Sequence, residues 1–123
     1  MRIRPERVAQ LMRREIAEIL ERDLRDPRIT AMVSVTDVEV THDLAFARVF
    51  VSLMGSPEAQ KTSLDGLSRA AGFVRKELGP RLGLREVPEI RFVHDTSLSR
   101  GARVEDLLKR IKDGETVEDK DLE

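Results

Sequence analysis

At 123 residues the chain has the length of one domain, and its 40% hydrophobic content suffices for a single small core while its 37% charged content leaves a largely ionic surface. No uncharged apolar run approaches the roughly 18 residues a membrane-spanning helix needs, and the absence of cysteine excludes disulfides, thiolate nucleophiles and cysteine-ligated zinc or iron–sulfur centres. The formal net charge of −1 hides a split: residues 1–112 carry 21 basic and 17 acidic groups, whereas residues 113–123 carry one basic and six acidic groups.

The amino-terminal hexapeptide Met1-Arg2-Ile3-Arg4-Pro5-Glu6 lacks the apolar stretch of a secretory signal, so a cytoplasmic location is expected. Val8, Leu11, Met12, Ile16, Ile19, Leu20 and Leu24 then recur at spacings of three and four, which predicts an amphipathic helix from about Pro5 to Leu24. Pro5 suits the first helical turn, and Asp26-Pro27 ends the segment because a residue preceding proline avoids helical angles. The opposite face, with Arg7, Arg14, Glu18, Glu21 and Arg25, reads as a solvated face of mixed charge.

From Met32 to Leu53 the pattern alternates and is rich in β-branched residues, which predicts a hairpin turning at His42-Asp43-Leu44. Val33 and Val35 occupy odd positions but Val38 and Val40 even ones, so a β-bulge is expected at Thr36-Asp37 to keep all four on one face. On the return strand Ala45, Ala47, Val49, Val51 and Leu53 share a face opposite Phe46, Arg48 and Phe50. That second face could stack bases, but two Phe around one Arg are expected to be sheet residues covered by the rest of the fold.

Ser56-Pro57-Glu58 opens a second helical pattern carried by Leu64, Leu67, Ala71, Val74, Leu78 and Leu82. Gly72 lies midway, and because an interior glycine costs about 1 kcal/mol relative to alanine, a kink or break there is expected, giving two consecutive helices. Val87-Pro88 stops the region, and Glu89 to His94 alternates as a third strand with Ile90 and Phe92 on one face. Val104, Leu107, Leu108 and Ile111 are spaced for a short last helix, and residues 113–123 read as a disordered acidic tail outside a domain of residues 1–112. The order is α-β-β-α-α-β-α, an α+β class.

Catalytic machinery is poorly represented. The two histidines fall in a turn, His42, and at a strand end, His94, whose neighbour Asp95 points to the opposite face and so cannot pair with it directly. No nucleophile-elbow, zinc-protease or phosphate-loop motif occurs, so neither catalysis nor a metal or other cofactor is expected. The basic residues say more: 17 of the 21 in residues 1–112 are arginine, whose planar fork suits phosphate oxygens. Arg69, Arg75, Lys76, Arg81 and Arg85 surround Ala70-Ala71-Gly72, and Arg2, Arg4 and Arg7 precede the first apolar stripe. A helix beginning at Gly72 would aim free N–H groups and the positive end of its dipole at an anion.

Six stretches in order resemble the ribosome-binding factor A family, across about residues 3–112. They are Arg4-x-x-Arg7-Val8, Asp26-Pro27-Arg28, Val35-Thr36-Asp37-Val38-Glu39-Val40, Ala47-x-Val49-x-Val51-Ser52, Ala70-x-Gly72-Phe73-x-Arg75-x-x-Leu78 and Pro88-Glu89-Ile90-x-Phe92-x-x-Asp95-x-Ser97. The resemblance implies a type II KH-like domain, with helices on one face of a three-stranded mixed sheet and an Ala-x-Gly kink in place of the usual Gly-x-x-Gly loop. It also implies a non-enzymatic, monomeric factor that binds 16S rRNA of the immature, free 30S subunit and assists its late maturation and 16S rRNA processing, without a small-molecule substrate. Arg2, Arg4, Arg7, Arg69, Arg75, Lys76, Arg81 and Arg85 are then the expected phosphate contacts, with Ala70 and Gly72 shaping the helix junction. The alternative is a protein-interaction adaptor using the first helix and the acidic tail, with RNA binding incidental; a hydrolase would reveal itself by turnover.

Overall fold

The computed structural model describes residues 4–96. Arg2, the expected last helix and the acidic tail lie outside them. Within them the order is α1 (Pro5–Arg22), β1 (Met32–Val40), β2 (Phe46–Met54), α2 (Pro57–Leu82) and β3 (Glu89–His94). The strands form one mixed sheet in the order β1-β2-β3, with β1 antiparallel and β3 parallel to the central β2. The α+β expectation therefore holds, with α1 packed on β1 and α2 on β3.

One apolar face of each element builds the core. Val8, Met12, Ile16 and Ile19 of α1 and Leu67, Val74 and Leu78 of α2 meet Val38 of β1, Ala47, Val49, Val51 and Leu53 of β2, and Ile90 and Phe92 of β3. The phase change in β1 is absorbed by a register shift between Val35 and Asp37, so the extra residue is Thr36 and the expected bulge is present. Thr36 Oγ1 lies 2.6 Å from Asp95 Oδ2 and 3.2 Å from the Phe50 carbonyl, tying the bulge across β2 to the end of β3.

Two expectations need correction. The segment around Gly72 is one unbroken helix of 26 residues, not two helices. A glycine there costs about 1 kcal/mol, but Leu67 before it and Val74 and Leu78 after it are completely buried, each worth about 1.5–3 kcal/mol, so packing holds the helix through its weak point. The helix ends only at Gly83, whose φ of 64° gives the left-handed cap. Second, the rest of the fold does not cover the Phe46, Arg48 and Phe50 face. Both helices pack on the opposite side of the sheet, and Phe46 is 54% exposed.

Ser63 fixes the connection between α1 and the sheet. Its completely buried Oγ accepts hydrogen bonds from the Thr30 N–H at 3.1 Å and the Ala31 N–H at 2.9 Å, satisfying two backbone donors of the loop that crosses α2. That loop comes so near the helix that a Cβ added at Gly66 would sit 3.0 Å from Ile29 Cγ1. The α2 glycine that another segment crowds is thus Gly66, against the Ile29 and Arg28 side chains, and not Gly72, where an added Cβ would meet nothing within 4 Å.

Candidate nucleic-acid interface

Helix α2 is well started: Pro57 occupies its first turn, and Ser56 Oγ accepts the Ala59 N–H at 3.1 Å. With Leu67, Val74 and Leu78 turned inward, the 100° step per residue places Lys61, Asp65, Arg69, Gly72, Phe73 and Lys76 along the solvent side. Arg69, Gly72, Phe73 and Lys76 follow one another at the i, i+3, i+4 and i+7 spacing of a single stripe. Among the described residues, neither Lys61, Arg69 nor Lys76 takes part in an ion pair. Glu58 and Asp65 lie on the same side near Lys61, so the net positive part of this ridge is its middle, at Arg69 and Lys76.

Arg75 and Arg81 behave differently, each engaged within the protein. Arg81 is committed inside the protein, with Nη1 3.1 Å from Glu15 Oε2 and 3.5 Å from Glu18 Oε1, and Nη2 2.9 Å from Asp23 Oδ2. The hydrogen bond to Glu15, opposed by partial desolvation and aided by the charges of Glu18 and Asp23, holds its pKa above the ordinary arginine value. Its geometry is that of a clasp between α2 and α1. Arg75 donates from Nε and Nη2 to the Val87 carbonyl at 3.0 and 2.8 Å, pinning the loop between α2 and β3, on which Arg85 stands exposed.

Arg4 and Arg7 are exposed at the start of α1, where Arg4 is the cap residue and offers no side-chain cap bond. Cations beside the positive end of a helix dipole cost roughly 0.3–1 kcal/mol, so folding gives no reason for two of them there, and Glu6 is the single acidic residue of that turn. Ala70 is half-buried. Gly72 is exposed inside an ordinary helical ladder, so it offers no helix N-terminus and no free N–H groups to a phosphate.

Phe73, outside the expected set of site residues, is 42% exposed beside Gly72. The signal was available: on a helical wheel it joins Arg69 and Lys76, not Val74 and Leu78. The outer face of the sheet presents a different chemistry. Arg48 is paired with Glu39 at 2.6 Å and its guanidinium carbon lies 5.8 Å from the Phe50 ring centroid, with Arg91 beside it and Asp37 and Glu89 adding negative charge around the pair.

A model of the ribosome-binding factor A family matches residues 4–108. Ribosome-binding factor A of Gloeobacter violaceus is 52% identical over 111 residues, spanning 89% of this chain and 86% of that protein. The protein of the same name from Microcystis aeruginosa is 46% identical over 121 residues, spanning 98% and 94%. The crystal structure of ribosome-binding factor A from Thermus thermophilus matches with a TM-score of 0.64 at 24% identity, over 75% of this chain and 97% of that one, a likeness of fold. A homology model of the Thermus thermophilus factor, fitted into a cryo-EM map of its complex with the 30S subunit, matches with a TM-score of 0.62 at 28% identity, over 76% and 97%.

Proposed function

The chain belongs to the ribosome-binding factor A family, and from that premise we propose that it is a non-enzymatic assembly factor that binds the immature 30S subunit through 16S rRNA and assists its late maturation and 16S rRNA processing. It acts as a cytoplasmic monomer without cofactor or small-molecule substrate. The fold is read as a type II KH-like domain whose two consecutive helices have merged into α2, carrying Ala70-Ala71-Gly72 within one continuous rod.

The observation that carries this reading is the positive ridge: Lys61, Arg69 and Lys76 face solvent without an internal partner, in a chain that satisfies Arg81 with three carboxylates a short distance away. Phosphate contacts are accordingly assigned to Arg69 and Lys76 on α2, to Arg2, Arg4 and Arg7 at the amino terminus, and to Arg75 and Arg85 around the loop that follows. Gly72 leaves the ridge without a side chain at its own position between Arg69 and Lys76, and the half-buried Ala70 lies at its flank. Arg81 is moved from this set to the clasp between the helices. Such a surface recognises backbone shape and charge more than sequence.

Co-sedimentation of the full chain with free 30S subunits, with naked 16S rRNA and with ribosomal proteins alone tests the assignment. Binding to the subunit and to rRNA is the expected result. Binding to ribosomal proteins alone, with none to rRNA, would replace it with the adaptor reading.

A further inference from the structure

Gly72 has no reason to be glycine in terms of the protein's own packing. Its backbone is helical, a Cβ there would meet nothing within 4 Å, and the substitution of alanine by glycine at an exposed helical position weakens a helix. The space it leaves opens outward, next to the Phe73 ring, which is itself 42% exposed. Arg69 and Lys76 flank that ring at i−4 and i+3, about 10 Å apart along the helix axis, and neither has an internal ion-pair partner. An apolar ring, a cleared floor and a cation on each side are the parts a single-stranded nucleotide needs: a π-face for the base and charges for the phosphates before and after it.

We propose that Phe73 is a stacking platform for one unpaired base of single-stranded RNA, seated over Gly72, with Arg69 and Lys76 holding the flanking phosphates. The proposal rests on the rRNA-binding reading above and adds what that reading lacks, a contact that demands an unstacked base and not merely a phosphate backbone. The rival aromatic surface, Phe46 and Phe50 on the sheet, is disfavoured by charge. Arg48 is already taken by Glu39 and the Phe50 ring, and although the exposed Arg91 stands beside it, Asp37, Glu39 and Glu89 outnumber the two cations and meet an approaching phosphate with their own negative charge. On α2 Arg69 and Lys76 outnumber the half-buried Glu77 beside the ring, while Glu58 and Asp65 lie toward the helix start, around Lys61.

The chain contains no tryptophan and no tyrosine, so Phe73→Trp installs a single fluorescent reporter at the platform and Phe46→Trp a matching one on the sheet. Both are titrated with a mixed-sequence single-stranded RNA of about 12 nucleotides and with free 30S subunits. Expected are strong quenching of the residue-73 indole, little change at residue 46, and affinity about 5- to 100-fold weaker for Phe73→Ala and Phe73→Leu, restored by Phe73→Trp. The salt dependence of binding should be the same for Phe73→Leu as for the natural chain, because no charge is lost. Equal affinity of Phe73→Leu and the natural chain, or quenching at residue 46 and not at 73, overturns the platform while leaving rRNA binding intact. Failure of the natural chain to bind either RNA or subunit overturns the underlying reading instead.

Discussion

Gly72→Ala should make the protein more stable and a poorer ligand for the small subunit. The added methyl meets nothing within 4 Å, so no overpacking offsets the gain of replacing an interior helical glycine, about 0.5–1 kcal/mol. For a domain of this size that corresponds to a rise of roughly 2–8 °C in Tm. Urea unfolding followed by far-ultraviolet circular dichroism should show a higher midpoint at unchanged slope. Affinity for free 30S subunits should fall about 3- to 10-fold, roughly 0.7–1.4 kcal/mol, because the methyl occupies the space beside Phe73. Gly66→Ala is the matched contrast: its Cβ would stand 3.0 Å from Ile29 Cγ1 and 3.3 Å from Arg28 Cβ, and an overpacking cost of about 1–3 kcal/mol exceeds the same helical gain. A Gly72→Ala protein that is less stable, or more stable with undiminished affinity, would refute the reasoning.

Two further outcomes follow from the fold. Ser63→Ala strips the acceptor from the Thr30 and Ala31 N–H groups, the second of them buried, and should cost about 2–4 kcal/mol in chemical denaturation; a loss under about 0.5 kcal/mol would show that the loop finds other partners. Asp43, in the hairpin turn, accepts hydrogen bonds from the Thr41 hydroxyl at 2.7 Å and the Ala45 N–H at 3.0 Å, which in that order hold its carboxyl below the ordinary value of 3.8. A depressed carboxylate stabilises the fold above its unfolded pKa, and that contribution is lost as pH falls from about 3.8 through the lower folded value. Thr41→Val should therefore raise the Asp43 midpoint toward 3.8 in a carboxyl NMR titration; an unmoved midpoint would assign the shift to another cause.

What could be read from the chain alone was whatever depended on near neighbours in sequence. The switch from odd to even valines in β1 announces the bulge at Thr36, because alternation is a property of the strand itself. The same local logic fails at Gly72: propensity argues for a break, but burial of Leu67, Val74 and Leu78 depends on the sheet beneath. Gly66 carries no such local signal, because Arg28 and Ile29, which crowd it, arrive from nearly 40 residues away. Arg81 and Arg69 look alike in sequence. Only the fold brings Glu15 and Asp23, 66 and 58 residues distant, onto Arg81 and leaves Arg69 free of such partners. The exposure of Phe46 was likewise out of reach, since it depends on both helices choosing the other face of the sheet.

The most direct test of the cationic ridge is the slope of log K against log salt for binding to free 30S subunits, measured for the natural chain and for the Arg69→Gln, Lys76→Gln double variant. If each side chain neutralises one phosphate, the double variant should lose about 1.4–1.8 from the magnitude of the slope, at 0.7–0.9 per contact. Parallel lines for the two proteins would mean that neither residue touches phosphate, and the account of how this surface meets rRNA would be wrong.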